Sequence, residues 1–84
     1  MNLIFSDQAW EDYQHWQETD KRMVRRIHEL LKDIRRQPHS GIGKPEPLRH
    51  ALAGWWSRRI DQEHRLVYRV TEQGVLLAQL RYHY

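Results

Sequence analysis

Between Lys21 and Arg36 the apolar residues Met23, Val24, Ile27, Leu30, Leu31 and Ile34 recur at steps of three and four. At 3.6 residues per turn they fall on one stripe, so this segment reads as an amphipathic helix whose apolar side must be covered. The remaining positions, Lys21, Arg22, Arg25, Arg26, Glu29, Lys32, Asp33, Arg35 and Arg36, are assigned to solvent. Arg35 and Arg36 suit the negative C-terminal end of the helix dipole, and Pro38 cannot continue the helix. A chain of 84 residues buries only about 60–65% of its unfolded surface, so the covering layer must be dense in large side chains. Four Trp, four Tyr and one Phe supply that density.

Upstream, Leu3-Ile4-Phe5 reads as a short strand, with Ser6 as helix N-cap and Asp7 at the positive end of the dipole. Ala9, Trp10, Tyr13 and Trp16 then keep helical spacing, and Thr19-Asp20 caps a second helix after a tight corner. Downstream, Pro38 to Pro47 holds all three prolines and two of the four glycines. It is a breaker-rich loop rather than a linker, because neither flank could build a core alone. The rest reads as β: Trp55 to Ile60, Arg65 to Val70 and Val75 to Tyr84, separated by short polar gaps that make hairpins. Leu48 to Ala53 adds a short strand. The expected fold is α+β, with two N-terminal helices on one face of a mostly antiparallel sheet. Residues 1–84 form one domain.

Alternation assigns the faces. Leu76, Ala78, Leu80 and Tyr82 share the helix side of the last strand, while Gln79, Arg81 and His83 share the other. In the strand before it, Leu66, Tyr68 and Val70 oppose Arg65, Val67 and Arg69. If Ile60 and His64 flank a three-residue turn, Arg59 stands directly across from Arg65. Like charges so placed destabilise a strand pair by a few tenths to about 1 kcal/mol, which an anion bound between them would offset. The guanidinium fork suits phosphate oxygens. A solvated face with more distant acidic partners is the other reading of the same residues.

The net charge is +3, with 14 Lys and Arg, which admits a polyanionic partner as readily as a plain basic surface. RNA carries its own nucleophile, the 2′-hydroxyl, so cleaving it needs a base, an acid for the departing 5′-oxygen, and cations around the phosphorane. Glu46 lies between Pro45 and Pro47, where two fixed φ angles stiffen an exposed loop. His83 is penultimate on the Arg-bearing face, and imidazole exchanges a proton near neutral pH. Tyr84 offers a ring for stacking on a base, or a plug for the core. Taken singly, Glu46 and His83 read first as ordinary surface residues.

Some chemistries find no support. The other five histidines show no ligand spacing, so no metal or cofactor is expected. Gly41-Ile42-Gly43-Lys44 lacks the spacing and following helix of a phosphate loop. The absence of Cys removes disulfides and thiolate sites, as suits a cytoplasmic protein. No apolar run approaches the roughly 18 residues of a membrane span, and Met1 to Asp7 has no signal-peptide character.

Read in order, Lys44-Pro45-Glu46-Pro47-Leu48, Trp56-Ser57-Arg58-Arg59-Ile60, Glu63-His64-Arg65-Leu66-Val67-Tyr68 and Arg81-Tyr82-His83-Tyr84 resemble the YoeB family within the RelE-like superfamily. The likeness extends through Trp16-Gln17-Glu18-Thr19-Asp20-Lys21-Arg22 and spans the whole chain. It implies a microbial-ribonuclease-like fold, cleavage of mRNA in the ribosomal A site, and neutralisation by a YefM-like antitoxin; a homodimer is compatible with it. It assigns Glu46 as general base and His83 as general acid. By the same resemblance Arg65 and Arg59 would stabilise the phosphate, and Tyr84 would help hold the substrate. Arg49 stands where the family usually has Lys, which keeps the charge but changes its geometry. Lys21, Arg22, Arg25 and Arg26 are expected to meet ribosomal RNA. Two alternatives use the same residues: a non-catalytic RNA-binding module, and a scaffold that only binds antitoxin.

Overall fold

The computed structural model describes residues 1–83; Tyr84, assigned above to the substrate, lies outside them. The chain runs β1 (Leu3–Phe5), α1 (Asp7–Thr19), α2 (Lys21–Arg36), β2 (Glu46–Pro47), a 3-10 turn (His50–Leu52), β3 (Trp56–Arg59), β4 (Arg65–Thr71) and β5 (Gly74–Gln79). Among the described residues the sheet has the order β1-β5-β4-β3-β2, parallel between β1 and β5 and antiparallel elsewhere.

Local chemistry sets the helix ends. Ser6 Oγ accepts from the Ala9 N–H at 3.0 Å and opens α1. Asp20 closes α1 with its backbone N–H on the Trp16 carbonyl, and opens α2 with its carboxylate on the Arg22 N–H. One residue thus makes the corner that turns α2 back along α1. The stripe of α2 is buried at Met23, Ile27, Leu30, Leu31 and Ile34, in one cluster with Ile60, Leu66, Tyr68, Val75, Leu77 and Leu80 of the sheet side. No helix of the described residues is long and apolar enough to cross a membrane.

Several expectations need correction. The short strand is Glu46–Pro47, not Leu48 to Ala53, which instead holds a 3-10 turn. The prolines cannot donate to a ladder, yet Glu46 can, and it faces Ser57 of β3. The last strand ends at Gln79, and from Val75 to Ala78 its parity is the reverse of the one expected, whereas Gln79 and Leu80 keep their expected faces. Val75 and Leu77 are buried in the core, while Leu76 and Ala78 are half-buried on the other face. Reading Val75 to Tyr84 as one even strand fails because the register shifts: Tyr68 pairs with Leu77 but Val67 with Gln79. The extra residue is Ala78, a bulge that returns Leu80 to the core. Tyr82 is therefore not a core residue: it has φ +64° and is exposed. Asp33, assigned to solvent, is 7% exposed.

Candidate active site on the open sheet face

Residues directly opposite in a sheet share a face. Glu46 faces Ser57, Ser57 faces Val67, and Val67 faces Gln79. The four form one row across β2, β3, β4 and β5 on the face away from the helices. At about 4.8 Å per strand, its end Cα atoms lie about 14 Å apart. Two residues along, Arg59 faces Arg65, the arrangement expected from a three-residue turn. Asp61 shapes that turn, its Oδ1 accepting from the N–H groups of Glu63 and His64. The face is not simply solvated. Ser57, Val67 and Arg65 are buried, whereas Glu46 and Arg59 are exposed, so a covered floor lies between charged edges.

Arg65 is 8% exposed, and its Nη1 donates to the carbonyls of Asp61, Gln62 and His64 at 3.2–3.5 Å. These contacts aim the guanidinium and offset part of its charge, easing the repulsion from Arg59. Among the described residues no further partner takes its other nitrogens. At the far end of the row, Gln79 Nε2 donates to the carbonyls of Arg81 and His83 at 3.0 and 3.2 Å. The chain end is thereby folded back over the face, with His83 lining a small groove beside Gln8, Asp12, Gln79 and Arg81. Glu46, Arg59 and Arg65 thus share one side of the sheet, and the His83 backbone is tied to Gln79 at the far end of the row. Arg49 is exposed beside Glu46, in a groove shared with Leu48, His50 and Leu52.

The four helix cations are elsewhere, on α2. Lys21 and Arg25 are exposed, lining a groove with Gln17, Val24 and His28. Arg22 pairs with Asp20 at 3.5 Å. Arg26 is half-buried, donating to the carbonyls of Ile60 and Arg59 and pairing with Glu29. Among the described residues no group of three or more His, Cys, Asp or Glu is arranged to hold a metal ion.

Beneath the site lies a network that sequence reasoning missed. Arg58 is wholly buried on the helix side of β3. Its Nη1 donates to Asp33 Oδ2 at 2.6 Å and to the Ile42 carbonyl at 3.1 Å. Its Nη2 donates to the carbonyls of Gln37 and Ser40, each at 2.7 Å. Tyr68 Oη accepts from Arg58 Nε and donates to the Pro38 carbonyl at 2.6 Å. Asp33 also accepts from the Ile42 N–H and from Gln37 Nε2. The loop before Glu46 is thus tied at four carbonyls. Hydrogen bonds from Gln37 and Arg58 hold the Asp33 carboxyl well below the usual carboxylate range, against the opposing effect of desolvation. Burial pushes the Tyr68 phenol up. The signal was present: Arg58 shares strand parity with Trp56 and Ile60, and Asp33 lies three residues after Leu30 on the buried side.

The chain is similar to known proteins over its whole length. The family model for "YoeB-like toxin of bacterial type II toxin-antitoxin system" matches residues 5–84. Toxin YoeB of Escherichia coli strain K12 is 62% identical over 84 residues, the whole of both chains. A heterotetrameric YoeB-YefM toxin-antitoxin complex from Staphylococcus aureus contains a chain 52% identical, at TM-score 0.93, covering 100% of this chain and 98% of that one. A YoeB dimer from the same organism matches at TM-score 0.94, with the same identity and coverage. With a family match across nearly its whole length, the chain belongs to the YoeB-like toxins of bacterial type II toxin–antitoxin systems.

Proposed function

We propose that this chain, acting as one toxin domain over residues 1–84, is a ribosome-dependent mRNA endoribonuclease that inhibits translation. Glu46 takes the proton from the RNA 2′-hydroxyl, which attacks the adjacent phosphorus. The 5′-oxygen departs with a proton from His83, leaving a 2′,3′-cyclic phosphate on the upstream fragment. Arg65 and Arg59 stabilise the charge that develops on the phosphorane, Arg49 adds a further cation beside Glu46, and Tyr84 holds the substrate. The nucleophile comes from the substrate, so acid, base and fixed cations suffice without a metal. The observation that supports this most is the single open-face row with Glu46 at one end and Gln79 gripping the His83 carbonyl at the other, beside the opposed arginine pair.

The same kinship supports a YefM-like antitoxin as partner, a homodimer, and a cytoplasmic location where ribosomes and mRNA are found. Lys21, Arg22, Arg25 and Arg26 are proposed to meet ribosomal RNA. The test is to map mRNA ends in cells after induction of the wild-type chain and of a chain lacking His83-Tyr84. Cuts within A-site codons are expected from the former alone. The same cuts from both would overturn the reading.

A further inference from the structure

His64 plays no part in the chemistry above, yet it is 8% exposed and placed at the root of the chain end. Its Nδ1 accepts from the Tyr82 backbone N–H at 2.8 Å. A backbone N–H can only donate, so Nδ1 carries the lone pair and the proton sits on Nε2, 3.2 Å from Glu63 Oε2. The ring meets Trp16 edge to face at 4.9 Å, and Trp16 Nε1 donates to the Leu80 carbonyl at 2.8 Å. Asp12 Oδ2 accepts the Leu80 N–H, and the Arg65 N–H donates to the Tyr82 carbonyl at 3.0 Å.

Tyr82 lies between these ties at φ +64°, a left-handed conformation that a tyrosine does not hold unaided. With the bends at Leu80 and Arg81 it turns the chain end, and the His83 carbonyl comes within reach of Gln79 Nε2. Both polar groups of the Tyr82 backbone are taken, one by His64 and one by Arg65.

We infer that His64 is a positioning residue for His83: its neutral imidazole, backed by Trp16, holds Tyr82 in the left-handed turn that delivers the proposed general acid to the site. The inference rests on the reading of His83 given above. It predicts that an acceptor at the Nδ1 position matters and that the rest of the ring is packing. In His64→Phe the ring volume remains and the acceptor is lost. In His64→Asn the side-chain oxygen can stand where Nδ1 stood.

The experiment is single-turnover and steady-state cleavage of ribosome-bound mRNA by wild type, His64→Phe, His64→Asn and His83→Ala. His64→Phe is expected to lose about 100-fold in kcat, as for a displaced catalytic group, with KM moved far less. His64→Asn is expected to recover most of that loss. Full activity in His64→Phe, or no recovery in His64→Asn, overturns the inference. If His83→Ala itself cleaves normally, the catalytic reading fails instead, and the two failures are told apart. Folding of the variants is bypassed by nitrogen NMR of the wild-type imidazole at neutral pH. An Nε2-protonated tautomer with a hydrogen-bonded Nδ1 is expected, and a proton on Nδ1 contradicts the proposal.

Discussion

At the scale of single residues, the proposed mechanism separates charges that bind from groups that move protons. Arg65 is aimed by three turn carbonyls, whereas Arg59 is exposed at the edge. Arg65→Lys should therefore cost more cleavage than Arg59→Lys, because an ammonium cannot both hold the turn and present a planar fork. Single-turnover rates of the two variants check this; equal losses would show that the burial of Arg65 has no catalytic consequence. Asp33 makes a different prediction. Its carboxyl titrates lower in the folded chain than in the unfolded one, so the stability it adds is complete above the unfolded value near pH 4 and drains away as pH falls toward the folded value. Thermal unfolding should show a steeper acid loss for wild type than for Asp33→Asn, and parallel curves would refute the assignment.

At the scale of elements, the ties between α2, β3 and the loop before Glu46 rest on Arg58. Arg58→Ala leaves buried Asp33 without its nearest cation and three loop carbonyls with fewer donors. Loss of one partner of a buried pair costs about 3–5 kcal/mol. Denaturant unfolding should show that loss, and a change below about 1 kcal/mol would mean the network is dispensable. Gly41 belongs to the same loop: at φ +110° any side chain would run into the Asp33 carboxylate. What was legible in the sequence follows from period and punctuation. The α2 stripe, the Ser6 and Asp20 caps, and the Arg59–Arg65 register all depend on residues near one another in the chain. What was not legible depends on contacts across the fold. The Ala78 bulge inverts the parity of β5 because Leu80 must meet Trp16 and Asp12 of α1. The pairing of Asp33 with Arg58 spans 25 positions, and nothing local to either announces it. The proposed catalytic set rests on the family resemblance and on the opposed arginines of this chain, since Glu46 and His83 taken alone read as ordinary surface residues.

At the scale of the molecule, a body of 30 × 26 × 24 Å carries net charge +3 and places two basic regions apart. One is the Arg face of the sheet, and the other is the Lys21 and Arg25 side of α2. Binding to ribosomes through phosphate contacts should weaken as salt rises, and Lys21→Glu with Arg25→Glu should flatten that dependence. An affinity indifferent to salt would remove α2 from the ribosome-facing surface.

The most direct measurement of the whole account is the single-turnover rate on ribosome-bound mRNA for wild type, Glu46→Ala and His83→Ala, each shown to be folded. Each variant is expected to fall by roughly 10²–10⁴-fold, as for removing a positioned acid or base. Cleavage by either variant within about threefold of wild type would contradict the account.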